Sequence, residues 1–156
     1  HKEISFVSGP LEYTINGEHK LGAYKPALQQ ANIEINEQLI DATDGTYDEA
    51  LLSWESFVQK AHVPTAIFAG SDEIALGVIH AIQDAGKRVP EDVEVISFEN
   101  SKLARMVRPQ LTSVALPLYD IGAVSMRLLT KLLNKEEVED KNVILPYRIE
   151  MRNSTK

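Results

Sequence analysis

The amino-acid sequence predicts an α/β protein built on a doubly wound, mostly parallel sheet. Two observations carry that expectation. Short apolar runs recur along the chain, each followed by a polar turn and then by an amphipathic helical stretch. Several of the runs are apolar throughout rather than alternating, as strands covered on both faces must be. The pattern is clearest in residues 64–77, PTAIFAGSDEIALG. There residues 65–69 read as a strand and Gly70-Ser71-Asp72 as a turn, and residues 72–85 read as a helix capped by Ser71 or Asp72. In such sheets ligands gather at the carboxyl ends of the strands, so this turn is a candidate ligand edge.

Taken in order, residues 4–8 form the first buried strand, Gly9-Pro10 ends it, and a polar loop runs to Gly17. Residues 18–31 are helical, with Leu21, Tyr24, Leu28 and Ala31 near helical spacing; Pro26 inside them is expected to kink or restart the helix. Residues 38–42 form a second strand. Thr43-Asp44-Gly45-Thr46 is a turn, and Thr46 with Glu49 resembles a capping box for a helix over residues 47–61. After the 65–69 strand and its helix, Gly86 is a helix C-cap and Lys87-Arg88-Val89-Pro90 a turn. Residues 92–98 form the fourth strand, with Glu99-Asn100 at its carboxyl end. One or two helical turns follow within residues 101–107, then a fifth strand over 111–116 and a strong helix over 119–134. A charged loop spans 135–142. The last strand, 143–151, is interrupted by Pro146, which favours a sheet edge or a bulge. The one plausible boundary is residues 116–118, where the chain could leave one lobe, run a helix elsewhere and return at Val143.

Composition bounds the function. The 156 residues can bury one sizeable core or two small lobes, and the formal net charge of −7 argues against this chain binding nucleic acid by itself. There is no cysteine, hence no disulfide framework and no thiolate chemistry. No apolar run approaches a membrane span and no signal peptide is visible, so a soluble cytoplasmic protein is expected. The chain reaches its first strand after only His1-Lys2-Glu3, which suggests a fragment of something longer.

Two helices have unusual faces. On the 72–86 helix, Ile74, Ala75, Val78, Ile79, Ala81, Ile82 and Ala85 cover an arc of roughly 160°, with Leu76 outside it. A helix packing on a sheet alone needs an arc nearer 100°. Either a partner subunit or a more enclosed position within one protomer would account for the excess. The 119–134 helix is apolar on most sides, with a narrow polar wedge of Asp120, Arg127, Lys131 and Asn134. Arg127 and Lys131 lie side by side, four residues apart. Such a pair can clamp a phosphate, or it can be an ordinary solvated stripe.

The motifs of catalysis are missing. Gly-x-Ser-x-Gly, a Walker loop and His-Glu-x-x-His are absent, and the four histidines have no ligand spacing. Asp44, Asp72 and Glu99 all fall at strand carboxyl ends, where a polar ligand could meet them, but no nucleophile accompanies them. His80, at the edge of a mostly apolar helix, reads as a packing or interface residue.

The run PTAIFAGSDEIALGVIHAIQDAGKRVPEDVEVISFEN, then RPQLTSV, then RIEMRNST resembles the core of LacI/GalR-type transcription regulators over nearly the whole chain. The likeness of MVRPQLTSV and YDIGAVSMRLLTKLLNKE is to the family's carbon-catabolite repressors. The resemblance implies a two-lobed, periplasmic-binding-protein-like core carried behind a helix-turn-helix DNA-binding domain and a hinge helix, which this sequence lacks. Residues 1–115 would be the C-terminal effector-binding and dimerisation lobe. Residues 116–142 would be the crossover and a helix of the N-terminal lobe, and residues 143–156 would return to the first. Lys20, Ser71, Asp72 and Glu99 would line the effector cleft. Tyr119, Arg127 and Lys131 would contact serine-phosphorylated HPr, and Leu76, His80, Met106 and Val107 would lie in a homodimer interface. Lys20 stands where many relatives have arginine, Ser97-Phe98-Glu99 replaces Gly-Phe-Asp, and a stacking aromatic near Gly45 is missing. These departures imply weak binding of small effectors such as glucose 6-phosphate or fructose 1,6-bisphosphate. The resulting expectation is a regulator, not an enzyme, with no metal and no cofactor. A sugar-binding protein for transport, or an α/β enzyme using Asp72 and Glu99, are the alternatives.

Overall fold

The computed structural model describes residues 1–11, 15–138 and 140–156. The expected polar loop before Gly17 and the charged loop over 135–142 therefore lie partly outside the described residues. Six strands form one sheet in the order β2-β1-β3-β4-β5-β6. They are β1 (Ile4–Ser8), β2 (Ile40–Ala42), β3 (Ala66–Ala69), β4 (Glu94–Glu99), β5 (Thr112–Ala115) and β6 (Arg148–Glu150). The first five are parallel, and β6 runs antiparallel along the free edge of β5. Connecting them are α1 (Ile15–Gln30), α2 (Tyr47–Gln59), α3 (Asp72–Asp84), the single turn α4 (Leu103–Met106) and α5 (Leu118–Leu133). The predicted doubly wound sheet is the observed one. No described helix is long and apolar enough to cross a membrane.

Local chemistry explains most boundaries. Ser71 Oγ accepts the Ile74 backbone N–H at 3.1 Å and so caps α3. That helix ends in a Schellman arrangement: Gly86 (φ +75°) donates to the Gln83 carbonyl and Lys87 to that of Ile82. Thr46 caps α2 through Glu49 N–H, but Glu49 does not complete the capping box, because Asp44 Oδ1 takes the Thr46 N–H at 2.8 Å. Pro26 neither ends nor restarts α1, which is continuous through it. Five of the six strands are shorter than expected, β2 and β6 by the largest fraction. The start of the predicted second strand is a 3-10 turn, Glu37–Leu39, capped by Asn36. The last strand begins only at Arg148, two residues beyond Pro146, on the sheet edge where the missing proline N–H is harmless.

The two faces of the sheet are unequal. One is closed by α2 and α3: Val7, Ile67, Ala69 and Val95 meet Ala50, Trp54, Phe57, Ile74, Val78, Ile79 and Ile82 in one cluster. Burying each large side chain there contributes about 1.5–3 kcal/mol. The other face carries Phe6 against Tyr24 and Leu28 of α1, with the Phe6 and Tyr24 rings stacked at 5.4 Å. Burial pushes the Tyr24 phenol up to about 12, with Glu37 adding to the effect, and its hydroxyl donates to the Ile4 carbonyl at 2.7 Å. Beyond α1, Phe68, Phe98 and Val114 are only half-buried. α5 leaves them so, because it buries none of its own residues and stands off from the body.

The breadth of the α3 apolar arc is explained largely within the protomer, since α3 is packed by α2 and α4 as well as by β3 and β4. The α2–α3 approach is close enough to require Gly77. A Cβ there would sit 2.6 Å from the Tyr47 carbonyl oxygen and 2.8 Å from Ala50 Cβ. Gly77→Ala is expected to cost about 1–3 kcal/mol by overpacking. Urea denaturation should show the midpoint falling with the slope unchanged; an unaltered midpoint would mean the helices part without cost.

Candidate functional site

Strands β4 and β5 and the loop after β4 meet around one residue that follows β3. Asp72 is 1% exposed. Its Oδ1 accepts from Ser97 Oγ at 2.5 Å and from Ser113 Oγ at 3.0 Å, and its Oδ2 accepts the Ser101 backbone N–H. The first residue of α3 thereby holds the ends of β4 and β5 and the loop that follows β4. A carboxylate so enclosed is not presented to solvent. Of the four residues expected at the effector cleft, Asp72 is the one whose carboxylate is already engaged by the protein itself. The same enclosure removes Asp72 as a free partner for Glu99 in acid–base chemistry.

Above Asp72 lies the polar surface. Lys20, from α1, donates to the Gly70 carbonyl at 2.7 Å, and its ammonium stands 4.1 Å from the centre of the Phe98 ring. Cation–π contacts of this kind contribute about 0.5–1 kcal/mol at exposed sites. Burial holds Lys20 below the ordinary lysine range, and Glu99 opposes that shift. Burial pushes the Glu99 carboxyl up; Lys20 pulls it down, and Asp72 and Glu73 push it up further. Ser71 is half-buried beside them, its oxygen engaged in the cap while its O–H can still donate. Three of the predicted effector residues, Lys20, Ser71 and Glu99, therefore share one polar surface, with Asp72 below. Asp44 stands at the end of β2, its carboxyl held low by the Thr46 hydroxyl and N–H.

Glu99 and Asn100 have φ of +107° and +56°. Left-handed backbone at two successive non-glycine residues costs roughly 1–3 kcal/mol each and persists only where the surroundings fix it. Asn100 N–H donates to Ser113 Oγ at 3.0 Å, and Arg152 Nη2 donates to Asn100 Oδ1 at 2.6 Å. No expectation from the sequence attaches to Arg152, and the structure makes it part of the support of the Glu99-Asn100 turn. The clue available in sequence was the small hydroxyl residues that follow. Ser154 is fully buried, its N–H and Oγ bonded to Gln110 and Val95 carbonyls and its Oγ also accepting Thr112 N–H.

The remaining candidates fall elsewhere. Tyr119 is 86% exposed and lines a hollow of about 490 Å³ with Glu99, Asn100, Pro117 and Tyr147. Arg127 and Lys131 line a separate hollow of about 530 Å³ with Glu137 and Asp140. An apolar groove of about 480 Å³ runs between Phe68, Phe98, Val114, Ile121 and Leu145. Of the residues expected between subunits, Met106 is exposed and Leu76 is partly buried against the core. His80 Nδ1 pairs with the Tyr47 hydroxyl at 2.8 Å. Val107 is buried within the protomer's own core. No group of three or more metal-ligating side chains forms among the described residues.

Comparison with known proteins places this geometry. Residues 1–155 match the model of the periplasmic binding protein-like domain. The chain is 53% identical over 156 residues to catabolite control protein A of Priestia megaterium, covering 100% of this chain and 47% of that protein. The solved transcription regulator CcpA of Lactococcus lactis superposes with a TM-score of 0.90 at 39% identity, over 99% of this chain and 56% of that one. The transcriptional regulator CelR in complex with cellobiose superposes at 0.91 with 31% identity, over 99% and 47%. The chain spans about half the length of the curated relatives it matches.

Glu99 supplies a pH test. A carboxyl raised in the folded state binds its proton more firmly there than when unfolded. Its contribution to stability is therefore fully present below the ordinary 4.5 and is lost as pH rises through the folded value. Glu99→Gln should remove that small decline from a series of urea midpoints taken upward from pH 4.5. It should also lower the Lys20 ammonium titration followed by NMR, since Glu99 is what raises it. An unmoved Lys20 would break the pairing.

Proposed function

Because the chain belongs to the periplasmic binding protein-like family and its relatives are named transcription regulators, we propose that it is the effector-binding part of a carbon-catabolite regulator. The observation that carries this reading is α5. The helix has 16 residues and buries none, yet Leu118, Met126, Leu129, Leu132 and Leu133 are about half exposed or more. An apolar helix standing free of its own sheet supports an N-terminal lobe that receives it. Residues 1–115 and 143–156 then form the C-terminal lobe, and residues 116–142 belong with the other. A transport sugar-binder would share the fold, but the relatives' names favour regulation.

In this reading Lys20, Ser71 and Glu99 face a small effector in the cleft, with Asp72 holding the wall behind them. Glucose 6-phosphate or fructose 1,6-bisphosphate are the ligands proposed. The carboxylates of Glu73 and Glu99 oppose a phosphate there, which supports weak affinity. Effectors act by favouring one lobe arrangement over another. Operator binding is assigned to a helix-turn-helix domain outside this sequence, because a net charge of −7 makes this region a poor ligand for DNA.

Serine-phosphorylated HPr is the proposed protein partner, at Tyr119, Arg127 and Lys131. An arginine and a lysine one helical turn apart match the charge and geometry of a phosphoserine. Arg127→Ala should weaken calorimetric affinity for serine-phosphorylated HPr at least tenfold; unchanged affinity would refute the docking. A homodimer is proposed through Leu76, His80 and Met106. Light scattering should give a dimer mass that Met106→Glu reduces towards a monomer, and a wild-type monomer at high concentration would exclude it.

A further inference from the structure

We propose that Arg152 is a positioning residue for the effector wall, holding the Glu99-Asn100 turn through Asn100 Oδ1 and so coupling the edge strand β6 to the cleft. The inference rests on the effector reading above only in calling that wall a ligand surface. The coupling itself is carried by geometry.

Four interactions converge on the turn. From below, Asp72 accepts the Ser101 N–H. From β5, Ser113 Oγ accepts the Asn100 N–H at 3.0 Å. Within the sheet, Glu99 pairs with Ala115. From the far side, the Arg152 guanidinium spans two acceptors, the Leu111 carbonyl through Nη1 and Asn100 Oδ1 through Nη2. Three of these hold backbone atoms or register. Among the described residues only Arg152 holds the side chain of Asn100, and it does so with a planar fork that a lysine cannot reproduce.

Arg152 is also the member tied to the moving part of the proposed mechanism. It lies two residues beyond β6, whose Arg148 is opposite Ala115 and whose Glu150 is opposite Ser113. Its own N–H donates to Thr112 Oγ1 at 2.9 Å. Residues 116–147, which include α5, leave the sheet after β5 and return into β6. A displacement of that excursion that shifts β6 along β5 carries the guanidinium with it. Released from Arg152, a turn at φ +107° and +56° relaxes, and the Glu99 carboxyl leaves its place beside Lys20.

The test reads Glu99 directly in the full 156-residue chain. Carbon-detected NMR follows the Glu99 carboxyl titration in wild type, Arg152→Ala, Asn100→Gly and the double variant, with melting recorded for each. Each single variant is expected to lower the Glu99 midpoint by roughly half a pH unit or more, because the water regained, acting on the largest cause of the raised value, outweighs the lost attraction of Lys20. The double variant should shift it no further than either alone. A Glu99 midpoint unchanged while melting temperature falls would make Arg152 merely structural and overturn the proposal. If Arg152→Ala fails to fold, Asn100→Gly alone decides, since it removes the acceptor and tolerates positive φ. Adding glucose 6-phosphate to wild type is a separate arm. A Glu99 resonance that ignores it counts against the effector reading and leaves the Arg152 result standing.

Discussion

The buried carboxylate of Asp72 is the interaction on which the carboxyl edge depends. A parallel sheet offers no hairpins to fix the relative heights of its strand ends, and each loop is free to differ. Asp72 fixes them with three hydrogen bonds from Ser97, Ser113 and the Ser101 N–H, drawn from β4, β5 and the loop between them. Hydrogen bonds to a charged group contribute about 1.5–3 kcal/mol, and leaving such a group unpaired costs more. An aliphatic contact at the same place would bury the edge without specifying it. The polar surface of the carboxyl edge is then built one layer out, by Lys20, Ser71 and Glu99.

The same molecule is closed on one face and unfinished on the other. α2 and α3 pack so tightly that Gly77 cannot carry a side chain, whereas α5 buries nothing and leaves Phe68, Phe98 and Val114 half-covered. A rigid side and an open side are what a lobe needs if it keeps its own shape while another body moves against it. The cleft residues, the apolar groove and α5 all lie towards the open side or the carboxyl edge.

Much of this was legible in the residues. Apolar runs of Val, Ile and Phe followed by polar turns specify the strands and helices, because a buried parallel strand has few alternatives. Pro146 marked the edge strand and Gly86 the helix end for the same stereochemical reasons. What stayed hidden was pairing across distance. Nothing local to Asp72 says that Ser97 and Ser113 will surround it, and a carboxylate at a helix start has an ordinary explanation as a cap. The breadth of the α3 apolar arc was equally ambiguous, since α4 and a second subunit would leave the same trace. Arg152 was missed because its partners, Asn100 and Leu111, are 52 and 41 residues away in sequence.

The latch formed by the final residues has a consequence for synthesis on the ribosome. Ser154 bonds to Val95 across 59 residues and to Thr112 across 42. The amino ends of β4 and β5 are therefore left without these partners until residue 154 has been translated. At roughly 5–20 residues per second, β4 waits about 3–12 s for its Ser154 contact. During that interval β5 also lacks β6, and it is an open edge strand of the kind that pairs with other chains. β1, β2 and β3 with their helices precede these partners along the chain, and the Glu99-Asn100 turn gains its bond from Arg152 only when residue 152 arrives.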